Sequence, residues 1–179
     1  IEQPVAATEQ LAAAAAQPAA AKARAAIKKV GLRQLQAMYE RREPISVLTA
    51  YDYLSARLAD EAGADIVLVG DSLGMVVLGH EDTTEVTVDQ MVHHCQAAAR
   101  GTRRALLVGD LPFGSYLTPD EAARSGVQLL KHGRVDAVKL EGGTRVLAQV
   151  RALVDAGIAV LGHIGLTPQS HMALGGYGV

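Results

Sequence analysis

Short apolar runs alternate with stretches of helical periodicity along most of the chain. Short runs rich in branched side chains are typical of buried strands, whereas apolar positions three or four apart are typical of helices. The predicted strands cover residues 45–50, 66–69, 105–108, 135–140 and 158–161. The predicted helices between them cover residues 54–62, 88–100, 119–132 and 146–156, followed in turn by Gly63, Gly101, Gly133 and Gly157. Glycine-terminated helices that alternate with such strands indicate a parallel sheet covered by helices.

Polar side chains stand at the carboxyl ends of four consecutive predicted strands. The second strand reads IVLVGD and ends at Asp71, and the third reads ALLVGD and ends at Asp110. The fourth carries Lys139 and Glu141, and the fifth carries His163. In a barrel all strand ends meet at one mouth, whereas in an open doubly wound sheet only those near the switch point share a crevice. The pattern therefore favours an α/β fold of the (β/α)₈ TIM-barrel type.

The chain is shorter than such a barrel. A complete barrel has eight βα units and about 250 residues, whereas this chain has 179 residues and reaches the fifth predicted strand. We therefore expect residues 28–179 to be the amino-terminal part of a barrel catalytic domain. Residues 1–27 are rich in alanine and of low complexity, which predicts a mobile or loosely helical extension. A transit peptide is the weaker alternative, because Glu2 and Glu9 are unusual in one.

Composition excludes several classes of function. The net charge of −2 points to neither nucleic acid nor a membrane surface as a partner. Five Tyr, one Phe and no Trp argue against a base-stacking platform. The single cysteine, Cys95, excludes an internal disulfide. No run of about 18 apolar residues predicts a membrane span, and we expect a cytoplasmic location, with an organelle as the minor alternative.

Asp71, Asp110 and Glu141 are candidate metal ligands. Neighbouring parallel strands lie about 4.8 Å apart, so acids at their tips can converge. Clustered carboxylates repel one another unless a cation is present, and Mg²⁺ prefers oxygen ligands. The alternative is that each acid is a helix N-cap or a turn residue, since Asp is a favoured cap.

Three other side chains are candidates for binding an anionic substrate. Lys139 and Glu141 are two apart on one strand and so face the barrel interior together. Lys139 could hold a carboxylate, or it could form a purely structural ion pair with Glu141. Ser72 could bind a carboxylate through its hydroxyl and nearby backbone N–H groups, or be a plain turn serine. His163 could hydrogen-bond substrate, or its protein neighbours only.

The remaining polar candidates are weaker. Tyr51 and Asp52 follow the first predicted strand and could line the mouth. His93, His94 and Cys95 lie together in a predicted helix, but no closed ligand spacing accompanies them. We therefore do not interpret these three residues as a metal site.

On these residues the sequence resembles the ketopantoate hydroxymethyltransferase family. The matching stretches keep the family's order and approximate spacing and extend over about residues 28–179. They are LTAYDY at 48–53, VGDSLGM at 69–75, GH at 79–80, VTVD at 86–89, DLPFGSY at 110–116, VKLEGG at 138–143, and GHIGLTPQS and GGY within 162–177.

The resemblance implies a fold, an activity and a set of site residues. It implies a (β/α)₈ barrel that binds Mg²⁺ and assembles into large homo-oligomers. The implied reaction transfers a hydroxymethyl group from 5,10-methylenetetrahydrofolate to 3-methyl-2-oxobutanoate, giving 2-dehydropantoate for pantothenate and coenzyme A biosynthesis. The implied metal ligands are Asp71, Asp110 and Glu141, and the implied oxo-acid contacts are Asp71, Ser72, Asp110, Lys139 and His163.

One part of the family's site has no counterpart here. The family's catalytic base is a Glu on a later strand, beyond Val179. No residue of this sequence is assigned that role, and the chain as it stands is expected to lack normal turnover. Two alternatives stay open at this point. One is another magnesium-dependent 2-oxo acid enzyme of the phosphoenolpyruvate mutase and isocitrate lyase type, and the other is an inactive truncated homologue that acts as an assembly partner.

Overall fold

A computed structural model of the chain describes residues 28–176, so the predicted extension at residues 1–27 lies outside the described residues. The strands are β1 (Val47–Thr49), β2 (Ile66–Val69), β3 (Leu106–Asp110), β4 (Ala137–Glu141) and β5 (Ala159–His163). The helices are α1 (Leu32–Glu40), α2 (Tyr53–Glu61), α3 (Leu73–Val76), α4 (Val88–Gly101), α5 (Pro119–Gln128) and α6 (Leu147–Asp155). A π-helical turn covers Leu129–Gly133, and 3₁₀ turns cover Gly143–Val146 and Pro168–Ser170. None of the described helices is long and apolar enough to cross a membrane.

The five strands form one parallel sheet in the order β1-β2-β3-β4-β5. Each strand is added beside the one before it, which is the order of a (β/α)₈ barrel, whereas a doubly wound sheet reverses direction at its switch point. The predicted fold class is therefore confirmed, with five consecutive units of the barrel present.

Strand alternation separates two apolar layers. The outward-facing residues, such as Val67, Leu107 and Val138, are fully buried against the helices. The inward-facing residues form a second cluster, which Val30 joins from the segment before α1. Its buried members are Val30, Ile66, Leu106, Val108 and Ala137. Toward the carboxyl ends of the strands this inner face changes from apolar to charged, and that change positions the site.

The glycines after the predicted helices have two different roles. Gly63 (φ 90°) and Gly157 (φ 80°) follow their helices as predicted and adopt the left-handed conformation that commonly ends a helix. Gly101, expected directly after the helix 88–100, is instead the last residue of α4. A Cβ there would lie 2.4 Å from a backbone oxygen at the start of α2, so the glycine allows the two helices to approach. Gly133 is the last residue of the π-helical turn, and Arg134 (φ 63°) directly after it takes the left-handed conformation.

Some element boundaries also differ from the predictions. The predicted helix 119–132 is α5 followed by the π-helical turn, and the predicted helix 146–156 is α6, preceded by a 3₁₀ turn that ends at Val146. The one-turn helix α3 directly after Asp71 and Ser72 was not predicted, because four residues are too few to show a periodicity.

Candidate active site

Asp110 and Lys139 form an ion pair at the mouth of the sheet. They are register partners at the ends of β3 and β4, and Lys139 Nζ donates to Asp110 Oδ1 at 2.7 Å. The side chains are 3% and 10% exposed, so little solvent screens the pair. The backbone N–H of Asp71 donates to the other oxygen of Asp110 at 3.0 Å. Both oxygens of Asp110 therefore accept hydrogen bonds from neighbouring strand ends.

Glu141 joins the same network from the end of β4. Lys139 Nζ lies 3.5 Å from Glu141 Oε1, which also accepts from His163 Nδ1 at 2.9 Å. His163 is the register partner of Glu141 on β5. The backbone N–H of Gln169 donates to Glu141 Oε2 at 3.1 Å. The predicted Lys139–Glu141 proximity is thus present, although the closer partner of Lys139 is Asp110.

Gln169 links the acids and was not singled out from the sequence. Its Nε2 donates to Asp71 Oδ2 at 2.7 Å and to the carbonyl oxygen of Leu111 at 2.9 Å. The hydroxyl of Tyr116 donates to Gln169 Oε1. Both residues lie within stretches that carry the family resemblance, at GHIGLTPQS and DLPFGSY, and that membership was the only signal in the sequence.

Ser72 lies next to the acids and contacts Tyr51. Their hydroxyl oxygens share a hydrogen bond of 3.0 Å, which places Tyr51 at the mouth as its position after β1 suggested. His94 Nδ1 donates to the backbone oxygen of Tyr51 at 2.7 Å, so this histidine supports the loop that follows β1. The neighbouring Cys95 is fully buried in the outer core.

The capping alternative fails for the three acids. The longer helices that have capping boxes begin at other residues, namely Asp52, Thr87 and Thr118. Ser72 and Val146 occupy the N-cap positions of α3 and α6. None of these positions is held by Asp71, Asp110 or Glu141. Asp52, which was a weaker candidate for the mouth, caps α2 instead.

Burial perturbs the ionisation of the cluster. Desolvation, together with the nearby Asp71 carboxylate, raises the pKa of Asp110 to about 7 against the opposing effect of Lys139. Desolvation also raises the pKa of Asp71, against the opposing effects of the Gln169 hydrogen bond and the Lys139 charge. Burial disfavours the charged form of Lys139, but the carboxylates around it outweigh that effect and raise its pKa. Lys139 is therefore a cation, while Asp71 and Asp110 take up protons more readily than exposed carboxyl groups do.

The donor set fits a hard divalent cation. Three carboxylates and one ammonium leave two negative charges when all are ionised, and the oxygens are of the kind that Mg²⁺ prefers. Within residues 28–176 no three His, Cys, Asp or Glu side chains are grouped so as to enclose a metal ion by themselves. Mg²⁺ is normally held by one or two carboxylates, with water and substrate completing its shell. The adjacent Asp71 and Asp110 satisfy that requirement, and the metal role of the acids stays a prediction.

The network borders a pocket of about 260 Å³. Glu141 and Gln169 form part of its wall, and Phe113 and Leu117 give it an apolar side. Arg145 adds a positive charge at the same pocket. Glu141 therefore lies beside a space that combines apolar surface with the positive charge of Arg145.

Comparison with known proteins identifies the family. The model of the ketopantoate hydroxymethyltransferase family matches residues 29–179. This chain belongs to that family. A 3-methyl-2-oxobutanoate hydroxymethyltransferase of Oleidesulfovibrio alaskensis is 62% identical over 136 residues, which are 75% of this chain and 47% of the relative. The enzyme of the same name from Moorella thermoacetica is 58% identical over 153 residues, which are 84% of this chain and 56% of the relative. The chain thus spans about half the length of these curated relatives.

Solved structures extend the likeness to the fold. A 2,3-dimethylmalate lyase of the PEP mutase/isocitrate lyase superfamily aligns with a TM-score of 0.54 at 25% identity, over 73% of this chain and 51% of that one. A phosphoenolpyruvate phosphomutase from Streptomyces platensis subsp. rosaceus aligns with a TM-score of 0.60 at 17% identity, over 74% and 53% of the two chains. This chain therefore shares its fold with those enzymes over the aligned part, while the family model and the sequence identity to the curated relatives place it in the ketopantoate hydroxymethyltransferase family.

Proposed function

We propose that the protein containing this chain transfers a hydroxymethyl group from 5,10-methylenetetrahydrofolate to 3-methyl-2-oxobutanoate, giving 2-dehydropantoate, with Mg²⁺ at the mouth of the barrel. The observation that carries the proposal is the buried cluster of Asp71, Asp110, Glu141 and Lys139, in which three carboxyl groups accompany one ammonium and offer oxygen ligands to a divalent cation. Family membership supplies the substrates, because the curated relatives carry the name of this reaction.

Different side chains of this chain would bind the cation and the oxo acid. Asp71 and Asp110 would hold the cation, with Glu141 beside them. When bound, Mg²⁺ would polarise the keto group of the oxo acid and acidify the adjacent C–H. Lys139 offsets the negative charge of the oxo-acid carboxylate. Among residues 28–176 none is assigned as the base that accepts the proton.

Ser72 and His163 complete the proposed contacts to the oxo acid. The Ser72 hydroxyl is oriented by Tyr51, which leaves it free to exchange that hydrogen bond for one to a ligand oxygen. His163 is held by Glu141, so its second ring nitrogen could face a ligand. The apolar wall of the adjacent pocket, with Phe113 and Leu117, suits a branched aliphatic group.

The experiment is an activity assay on the full-length protein with Asp71→Ala and Asp110→Ala. Each variant should lose magnesium-dependent hydroxymethyl transfer, because removal of one carboxylate dismantles the cation site. Asp155→Ala serves as the control, because Asp155 is an exposed acid at the end of α6. Unchanged activity of either site variant with added Mg²⁺ would defeat the assignment.

A substrate panel separates the proposal from its rivals. The parent protein should convert 3-methyl-2-oxobutanoate with 5,10-methylenetetrahydrofolate and should not cleave isocitrate. Cleavage of isocitrate would favour the isocitrate lyase type of enzyme, and inactivity with every substrate would favour an assembly partner. We further propose a homo-oligomer in the cytoplasm, which light scattering and cell fractionation would test.

A further inference from the structure

Gln169 connects the ends of four strands through its side chain and its backbone N–H. It lies after β5, is 5% exposed, and contacts Asp71 after β2 and the Leu111 carbonyl after β3. Its backbone N–H donates to Glu141 at the end of β4. A single residue thus holds two of the three acids from outside the sheet.

The hydrogen bonds of the Gln169 amide fix its orientation. Its oxygen accepts from the Tyr116 hydroxyl, and its nitrogen donates to the Asp71 carboxylate and the Leu111 carbonyl. An amide nitrogen has two hydrogens, so both are used. Burial raises the pKa of Tyr116, which keeps its hydroxyl protonated as the donor. The amide therefore cannot rotate without losing several buried hydrogen bonds.

A neutral donor has a specific advantage at this position. A Lys or Arg would also satisfy the buried oxygen of Asp71, but it would cancel part of the negative charge that attracts a cation. The amide of Gln169 satisfies the oxygen and leaves the charge of the carboxylate in place. Lys139 already supplies the cation that pairs with Asp110.

We propose that Gln169, held by Tyr116, is a positioning residue that orients the Asp71 and Glu141 carboxylates for cation binding. This inference rests on the proposed magnesium site. Gln169 acts through the acids and touches neither the cation nor the reacting atoms. Outer groups that orient metal ligands typically contribute about 10–100-fold to metal affinity or activity.

The test measures Mg²⁺ affinity by calorimetry on the full-length protein without substrates, together with the melting temperature. Gln169→Leu removes the amide at similar volume and should weaken Mg²⁺ binding by about 10–100-fold. Tyr116→Phe removes only the hydroxyl and should weaken it by a smaller factor. Gln36→Leu is the matched control, because Gln36 donates to the Glu40 carboxylate at 3.0 Å on the exposed face of α1. Its Mg²⁺ affinity should equal that of the parent.

A folded Gln169→Leu protein that binds Mg²⁺ as tightly as the parent would overturn the inference. Should that variant fail to fold, Tyr116→Phe decides in the same way, with weakened binding supporting the inference and parental binding overturning it. Steady-state kinetics adds a second readout, because a positioning role predicts a rise in the Mg²⁺ concentration for half-maximal rate. Failure of the proposed function would show instead as a parent protein that binds Mg²⁺ but transfers no hydroxymethyl group.

Discussion

Replacing Lys139 by Met would remove the only cation in direct contact with the Asp110 carboxylate among the described ion pairs. Methionine keeps most of the length of the lysine side chain but lacks the ammonium group. That group lies 2.7 Å from Asp110 Oδ1 and 3.5 Å from Glu141 Oε1. Breaking a buried pair by removing one partner costs about 3–5 kcal/mol. We therefore expect the free energy of unfolding of the metal-free Lys139→Met protein to be lower than that of the parent by about 3–5 kcal/mol.

The loss should depend on pH. Because the folded state raises the pKa of Asp110 to about 7, it binds that proton more tightly than the unfolded chain does. The stabilising contribution is complete below the unfolded pKa of about 4 and declines as the pH rises toward 7. Lys139 lowers the pKa of Asp110, so its removal extends the decline above pH 7. The deficit of Lys139→Met should be larger at pH 8.5 than at pH 5.5.

The assay is urea unfolding of full-length parent and variant without Mg²⁺, followed by circular dichroism at both pH values. Lys29→Met is the matched control, because Lys29 contacts Asp136 at 2.6 Å with 44% of its side chain exposed. Exposed pairs of this kind contribute about 0–1 kcal/mol. A Lys139→Met protein no less stable than Lys29→Met, or a deficit that does not grow with pH, would refute the reasoning.

Three other changes test how the fold positions the site. Asp60→Ala leaves three backbone N–H groups at the start of β3 without their acceptor, and urea unfolding should show a loss on the order of 3 kcal/mol. Gly101→Ala puts a Cβ 2.4 Å from the Tyr53 carbonyl oxygen and should cost about 1–3 kcal/mol by thermal unfolding, despite the better helix propensity of alanine. Asp52→Ala removes the capping box with Ser55 and should cost about 0.5–2 kcal/mol, whereas Asp52→Asn should restore most of it in the same measurement.

The sheet was predictable because its signal is local and repeated. Buried parallel strands are continuous apolar runs, and glycine in the left-handed conformation ends helices, as at Gly63 and Gly157. Gly101 looks the same in the sequence but is required by a contact with α2, which lies about 48 residues earlier in the chain. A helix-ending glycine and a helix-packing glycine therefore differ only in tertiary contacts.

The site was predictable to the extent that strand register determines it. Asp110 pairs with Lys139 and Glu141 with His163, because equivalent positions on adjacent parallel strands meet at the same edge. Gln169 and Tyr116 reach the site from loops, where no periodicity fixes the direction of a side chain. Their positions are fixed by long-range hydrogen bonds. The Tyr116–Gln169 bond joins residues separated by 53 positions in the sequence, and the Gln169–Asp71 bond joins residues separated by 98, and no local pattern encodes either contact.

In this network most hydrogen bonds to the carboxyl groups come from neutral donors, whereas the positive charge comes from Lys139. This division explains how the network could bind a cation. The oxygens of Asp110 and Glu141 accept from strand-end and loop donors, and one oxygen of Asp71 accepts from Gln169. Among these donors Lys139 carries a permanent charge, while the backbone N–H groups and the amide carry none. The acids are consequently held in place mainly by neutral donors, so an incoming divalent ion that displaces their protons meets oriented carboxylates and needs little binding energy to order them. Substitutions in the loop that carries Gln169 should therefore change cation affinity more than they change the stability of the sheet.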